Sequence, residues 1–168
     1  MKAKNHNNTS KTLIVPNAEL MRHVRQAINQ GETAVINVKG YSMRPFLEHQ
    51  RDKVKLAAPK NVRPGDAVLA EIGSDTFVLH RIIGINGDKI TLMGDGNLKG
   101  TEHCLTKNVI ATVCIYYHNG KAIPADDKKL CRRVRLWRKL LPVRRWLLYI
   151  YRIKEKLRKN HYENKGRI

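Results

Sequence analysis

The sequence has few cysteines and no long apolar run, and each absence argues against a class of protein. The three cysteines are odd in number and form no C-x-x-C pair; they are Cys104, Cys114 and Cys131. This pattern argues against a disulfide framework and a zinc site, so we expect free thiols in a reducing compartment and no metal. Residues 1–11 are polar, and the longest apolar run of the tail, residues 146–151, is far below the roughly 20 residues of a membrane-spanning helix. We therefore expect neither a signal peptide nor a transmembrane anchor.

Acidic residues are also scarce. The chain of 168 residues carries 14 Asp and Glu against 33 Lys and Arg, which gives a formal net charge of +19. The excess is concentrated at the C-terminal end, where residues 128–168 contain 16 Lys or Arg and only two Glu. Such a segment favours an anionic partner, either nucleic acid or an acidic membrane surface. The hydrophobic content of 42% is that of a folded protein, and the length predicts a single core of ordinary size.

Three regions follow from the change in composition along the chain. We predict a disordered polar leader in residues 1–12, a folded domain in residues 13–124 and a basic amphipathic helical tail in residues 125–168. In the domain, Asn17 is predicted to cap a helix that ends near Asn29, since the apolar residues between them share one face. Strands are predicted at residues 33–39, 53–57, 66–72, 76–85, 88–93 and 108–117.

Turn residues support an antiparallel arrangement of these strands. Asn86-Gly87 and Asn119-Gly120 are typical of tight hairpin turns. Many short strands joined by such turns indicate a mainly β domain, and we expect a small coiled barrel.

A candidate nucleophile follows the first predicted strand. Residues 34–38 lead through Gly40 to Ser42, and Pro45 follows where the chain must turn. A serine held at the end of a strand can expose its hydroxyl while adjacent backbone N–H groups stabilise an oxyanion, and we expect the N–H of Ser42 to do so. Gly40 is predicted to adopt a positive φ or to allow close approach of a substrate. Ser42 could instead be an ordinary turn serine.

Serine needs a base, and His80 is the best candidate. An imidazole has a pKa of about 6.5, which lets it act as base and then as acid. Its second ring nitrogen needs a partner that fixes the tautomer, and Asp95 in Gly94-Asp95-Gly96-Asn97 is our first candidate. His80 could also be a core histidine, and Asp95 could only close a turn.

Four motifs occur in register along the domain: Ser42-Met43-x-Pro45, Pro64-Gly65-Asp66, His80-Arg81 and Gly94-Asp95-x-Asn97. Together they resemble the superfamily of serine peptidases that contains type I signal peptidases and self-cleaving LexA-type repressors. The histidine base is similar to that of the endoplasmic-reticulum and archaeal signal peptidases. The resemblance covers roughly residues 38–113. It implies a coiled antiparallel barrel of the signal peptidase/LexA type, which the helix predicted from Asn17 would precede. In the eukaryotic relatives a further acid follows the last motif, so Glu102 is the second candidate for the partner of His80.

The predicted function is therefore a serine endopeptidase that cleaves a peptide or protein through an acyl-enzyme. Its catalytic residues are predicted to be Ser42, His80 and Asp95, with no cofactor and no metal. A substrate strand is expected to pair beside residues 34–39. The alternatives are a LexA-like regulator that cleaves itself or binds nucleic acid, and an inactive scaffold that keeps the fold.

The tail has its own pattern. Pro142 is predicted to break a helix whose apolar residues recur at helical spacing among arginines; they are Leu130, Val134, Trp137, Leu140, Leu141, Trp146, Leu147, Tyr149, Ile150 and Ile153. An apolar side opposite an arginine-rich side predicts a helix that lies on an anionic membrane surface. The chain would then be cytoplasmic and peripheral on the inner face of the cell membrane. Packing of the two tryptophans onto the barrel, or binding of nucleic acid by the tail, are the alternatives.

Overall fold

The computed structural model describes the backbone of residues 17–165 and the side chains of residues 18–158. The leader predicted in residues 1–12 lies outside the described residues. The elements follow in chain order: α1 (Asn17–Asn29), β1 (Ala34–Asn37), β2 (Lys53–Ala57), β3 (Ala67–Gly73), β4 (Thr76–Asn86), β5 (Lys89–Met93), β6 (Glu102–Leu105), β7 (Val109–His118), β8 (Lys121–Pro124), α2 (Lys128–Lys139) and α3 (Arg144–Lys165). A short 3₁₀ turn at Leu141–Val143 joins the last two helices.

The strands predicted from the sequence are present to within two residues at each end, and both predicted hairpin turns are found, between β4 and β5 and between β7 and β8. Strands β6 and β8 are additional. The four residues of β6 include no β-branched or aromatic side chain, so the sequence carries little β signal there.

The strands form one antiparallel sheet in the order β1-β2-β7-β3-β4-β5-β6, with β8 paired to β7. The fold is therefore mainly β, with a helix before the sheet and helices after it, as expected. A closed barrel is not formed: within the described residues no pairing joins the two ends of the sheet, β1 and β6. The sheet curls, however, because β6 returns close to β3.

Strand β3 lies between two hydrophobic cores and is buried on both faces. Successive side chains of a strand point to opposite faces. Ala67 and Leu69 point into the larger core, which also contains residues of α1 and of the tail helices. Val68 and Ala70 point into a smaller core within the curled part of the sheet. Residues of the neighbouring strand β4 consequently face one core or the other.

The tail packs onto the sheet as two helices. They are separated near Pro142, where the sequence predicted a break. Asp127 caps α2 by accepting a hydrogen bond from the Leu130 N–H at 2.8 Å. Leu130, Val134 and Trp137 are buried in the larger core. None of the described helices is both long and apolar enough to cross a bilayer.

Candidate active site

Ser42 lies in the tight turn that follows β1. Gly40 enters the turn with φ of 86°, which agrees with the positive φ predicted for it. Glycine adopts this conformation without strain. Its N–H donates to Nδ1 of His49 at 3.0 Å. Met43 and Leu47 are buried below the turn, so the loop is anchored in the larger core. This anchoring leaves Ser42 partly exposed at the surface of the loop.

The turn at residues 94–97 supports Ser42 from behind. The Gly96 N–H donates to the Ser42 carbonyl oxygen at 2.7 Å. A Cβ placed on Gly94 would lie 2.5 Å from the Ser42 carbonyl oxygen, and one on Gly96 would lie 2.6 Å from that of Tyr41. Neither position has room for a side chain. The two glycines of the Gly-Asp-x-Asn motif are therefore required by close backbone approach.

His80 lies on β4 and is almost fully buried, with 6% of its surface exposed. Its Nδ1 is 2.9 Å from Oε2 of Glu102, whose side chain is 27% exposed. An ionised carboxylate can only accept a hydrogen bond, so Nδ1 carries the proton and Nε2 is left as the basic nitrogen. This is the arrangement that a histidine base requires.

The prediction that Asp95 orients His80 is wrong in the structure, because its carboxylate binds Arg81. The Asp95 oxygens lie 2.8 Å from Nε and 2.5 Å from Nη2 of Arg81, and both residues are buried. Burial alone would lower the pKa of Arg81, but the carboxylate of Asp95 raises it above its ordinary value. Arg81 also donates to the Gly65 carbonyl oxygen at 2.7 Å. Asp95 therefore joins two loops of the fold, and Glu102, the second candidate, is the partner of His80.

The reason is the strand register between β4 and β5. Directly after the hairpin turn, Asn86 pairs with Lys89 and Gly84 with Thr91. Continued without interruption, this register would set His80 opposite Asp95. A bulge between Ile82 and Gly84 shifts the pairing by one residue, and a shift of one residue moves every side chain to the other face.

The shifted register relates the position of Ser42 to that of His80. Arg81 and Met93 form the last pair of the ladder, and the same register continued by one residue sets His80 opposite Gly94. Cβ atoms of opposed residues in an antiparallel pair are about 4.5–5.5 Å apart and point to the same face. The Cβ position of Gly94 lies 3.0 Å from the Cβ of Ser42. Ser42 therefore occupies the space where a side chain of residue 94 would otherwise stand, and the continued register puts that space on the His80 face of the sheet.

Among the described residues no hydrogen bond joins the Ser42 hydroxyl to His80. Catalytic hydrogen bonds are often long before substrate binds. The catalytic roles of Ser42 and His80, and the oxyanion role of the Ser42 N–H, stay predictions.

Comparison of the chain with protein-family models, curated proteins and solved structures finds no match. The chemistry of the site is therefore inferred from its own residues. In the described part of the chain no group of His, Cys, Asp or Glu side chains is placed to hold a metal ion. All three cysteines are free thiols.

The tail helices hold the turn at residues 94–97 from the other side. Nε1 of Trp137 donates to the Asp95 carbonyl oxygen at 2.8 Å, and Nη1 of Arg144 donates to that of Asn97 at 3.0 Å. Arg144 is buried, and this burial lowers its pKa. The tail is thus part of the structure that positions Ser42.

Sequence reasoning missed a buried ionic network below the Ser42 loop. Glu48 is fully buried, forms an ion pair with Arg44 and accepts a hydrogen bond from the Tyr151 hydroxyl at 3.1 Å. Burial by itself raises the pKa of Glu48, but the hydrogen bonds and charge of Arg44 bring it below its ordinary value. Burial together with the Glu155 and Glu48 carboxylates raises the pKa of Tyr151 to about 12. The spacing of four residues between Arg44 and Glu48 was the available signal.

A second part of this network is centred on Asp52, four residues after Glu48. Asp52 is fully buried and binds Nε of Arg51 at 2.8 Å and Nδ1 of His118 at 3.0 Å. Burial by itself raises the pKa of Asp52, but hydrogen bonds from Arg51 and the Glu48 N–H bring it below its ordinary value. Arg51 also binds Glu155 of α3 at 3.2 Å. The network therefore links the Ser42 loop to the tail.

Proposed function

We propose that the chain is a serine endopeptidase in which Ser42 is the nucleophile, His80 the general base and Glu102 the residue that orients His80. The observation that carries this proposal is the position of Ser42 over Gly94, on the face of the sheet that holds His80 and its carboxylate partner. Glu102 fixes Nδ1 of the imidazole, which directs Nε2 to the proton of the serine.

The reaction would proceed by acyl transfer. His80 takes the hydroxyl proton of Ser42 while Oγ attacks a peptide carbonyl carbon, and negative charge develops on the carbonyl oxygen. The N–H of Ser42 is proposed to stabilise this oxyanion. The imidazolium then gives its proton to the leaving amine, and an acyl-enzyme remains. Water, activated by His80 in the same way, hydrolyses the ester and regenerates Ser42.

A substrate would bind along β1. This strand is at the edge of the sheet and pairs only with β2 among the described residues. An extended peptide could add there as a further strand, with main-chain hydrogen bonds providing affinity. The chain continues from β1 to Ser42, which would place the peptide bond near the nucleophile.

We further propose that the chain belongs to the signal peptidase/LexA-type superfamily that its motifs resemble, with a sheet coiled in the manner of those peptidases. The convergence of the four motifs supports this. The Pro-Gly-Asp turn contacts Arg81 through Gly65, Arg81 binds Asp95, and Gly96 binds Ser42. The curl that returns β6 to β3 supports the coiled form of the sheet.

Labelling with an acylating, serine-reactive probe tests the proposal. We expect the wild-type chain to be labelled at Ser42, with no labelling of Ser42→Ala and little of His80→Ala. Glu102→Gln should slow labelling on the order of 10²–10⁴-fold, because the imidazole loses its tautomer control. Ser74→Ala is the matched control, since Ser74 is an exposed turn residue away from these motifs, and it should label like the wild type.

Two results would contradict the proposal: equal labelling of Ser42→Ala, or a folded wild-type chain that no acylating probe modifies. Intact mass measured during incubation identifies one further case. Loss of mass in the wild type that is absent in Ser42→Ala would show that the chain itself is a substrate, as in the self-cleaving alternative.

A further inference from the structure

Helix α3 is apolar on its exposed side. Trp146, Tyr149, Ile150, Ile153 and Leu157, here called the α3 row, recur at spacings of three and four residues and so lie along one face of the helix. Their exposed fractions are 69%, 60%, 50%, 43% and 64%. A surface helix normally turns its polar side outward. Five large apolar side chains in one exposed row mark an interaction surface.

The opposite face of the same helix is already occupied. Leu148 is buried in the larger core, Tyr151 reaches Glu48, and Glu155 binds Arg51. The orientation of α3 is therefore set by its inner contacts. The α3 row cannot turn inward without breaking them.

Charge identifies the occupant. Arg145, Arg152 and Lys156 are exposed along one side of the α3 row, and Lys154 lies along the other. Over the side chains described in this helix the single acid, Glu155, is turned inward to Arg51. An apolar centre with basic borders matches the surface of an anionic bilayer. The apolar side chains would enter the hydrocarbon region, and the basic side chains would lie beside the negatively charged headgroups.

The patch extends beyond the helix. Leu141 and Val143 in the turn before α3 are exposed, at 42% and 45%. Leu98 is 44% exposed and lines a cavity of about 380 Å³ together with Trp146 and Tyr149. Leu98 directly follows the turn at residues 94–97, so the apolar surface reaches the rim of the candidate active site.

We propose that the chain docks peripherally on an anionic lipid surface through the α3 row and its basic borders. The proposal does not depend on peptidase activity, since none of these side chains takes part in the proposed chemistry. A second copy of the chain fits less well, because pairing two rows would bring their arginines together. Nucleic acid fits less well too, because a phosphate backbone offers nothing to five large apolar side chains.

Co-sedimentation of the full-length chain with vesicles tests the proposal. We expect binding to vesicles of phosphatidylcholine with phosphatidylglycerol and much weaker binding to phosphatidylcholine alone. Ile150→Ser with Ile153→Ser should lower the partition coefficient roughly tenfold or more, because two apolar side chains no longer enter the bilayer. Val35→Ser with Ile85→Ser is the matched control, since both residues are exposed apolar side chains of the sheet.

A second comparison tests the basic border with two double variants that lower the net charge by the same amount. Arg145→Glu with Arg152→Glu should weaken binding to the anionic vesicles far more than Lys60→Glu with Lys89→Glu, which makes the same change on exposed lysines elsewhere. Thermal unfolding checks that every variant is folded. Ser42→Ala should bind vesicles like the wild type, which separates this proposal from the enzymatic one.

Three results would overturn the proposal. The first is a folded wild-type chain that does not bind the anionic vesicles, and the second is binding that the serine pair leaves unchanged. The third is a sedimentation coefficient that rises with protein concentration in the absence of lipid. If Ile150→Ser with Ile153→Ser abolished this rise and the control pair did not, a second copy would be the occupant. Salt-sensitive DNA binding in place of vesicle binding belongs with the first result.

Discussion

At the scale of single residues, neighbouring positions on one strand have different partners. His80 and Arg81 are adjacent on β4, so their side chains point to opposite faces of the sheet. Each binds the carboxylate on its own side: Glu102 for His80 and Asp95 for Arg81. The proposed catalytic pair, His80 and Glu102, and the structural ion pair, Arg81 and Asp95, thus lie on opposite faces of the sheet.

The glycine beneath Ser42 provides a test at this scale. We expect Gly94→Ala to abolish labelling of Ser42 and to lower the free energy of unfolding by about 1–3 kcal/mol, because the new Cβ forces the loop to move. That Cβ would lie 2.5 Å from the Ser42 carbonyl oxygen. A backbone atom cannot rotate away from the contact as the end of a flexible side chain can. Probe labelling and urea unfolding measure the two effects.

Gly73→Ala is the control for this substitution. Gly73 is the exposed last residue of β3, and a Cβ there would make only an ordinary contact of 3.8 Å with the Thr76 side chain. Its labelling rate should equal that of the wild type. A Gly94→Ala chain that also labelled normally would mean that Ser42 does not depend on the turn at residues 94–97.

At the scale of elements, the two tail helices use their tryptophans differently. Trp137 of α2 is buried against Phe46 and binds the Asp95 carbonyl oxygen, whereas Trp146 of α3 is largely exposed. Of the two tryptophans that the packing alternative places on the sheet, only Trp137 is buried. That the tail lies on a membrane stays a prediction, and it concerns the exposed face of α3. Helix α2 packs inward, and α3 has one inward and one exposed face.

A matched pair of substitutions separates these roles. Trp137→Phe removes a hydrogen bond to a buried carbonyl and should lower the free energy of unfolding by about 1–3 kcal/mol. Trp146→Phe should change it by less than about 0.5 kcal/mol, because the residue is exposed. Urea unfolding followed by circular dichroism measures both without relying on tryptophan fluorescence. Equal losses in the two variants would contradict the packing described for α2.

At the scale of the whole molecule, buried acids offset a strongly basic chain. Glu48 and Asp52 are fully buried, and their arginine partners keep both pKa values below the ordinary range. A carboxyl whose pKa is lowered by folding stabilises the native state fully above its unfolded pKa. This contribution is lost as the pH falls through the lower, native value.

The free energy of unfolding should therefore be nearly constant from neutral pH to about pH 5 and should fall steeply below about pH 4. The ordinary pKa values are 4.5 for Glu48 and 3.8 for Asp52, so the loss begins near them and continues at lower pH. Glu48→Gln should be less stable at neutral pH and should have a shallower acid slope. Urea unfolding at a series of pH values measures both.

Glu32→Gln is the control, because it makes the same change in net charge at an exposed position. It should retain the slope of the wild type. An equal flattening in both variants would mean that acid sensitivity comes from general charge repulsion and not from the network below the Ser42 loop.

Much of the architecture was predictable because its signals are local. The spacing of Met21, Val24 and Ile28 predicts helix α1, and all three are buried. The Asn-Gly pairs predict the two hairpins, and Pro142 predicts the break in the tail. Strand β6 has no comparable signal, since it forms by pairing with β5 rather than from its own residue preferences.

The sequence by itself determined which segments become strands and helices, where Ser42 turns and where the basic charge collects, because these properties depend on residues close together in the chain. Only the tertiary structure decided which acid faces His80 and which tryptophan is buried. A bulge of one residue at Ile83 reverses the face that residue 95 would take, and a single strand pair brings Glu102 into place. Such choices depend on register between distant segments, which no local pattern encodes.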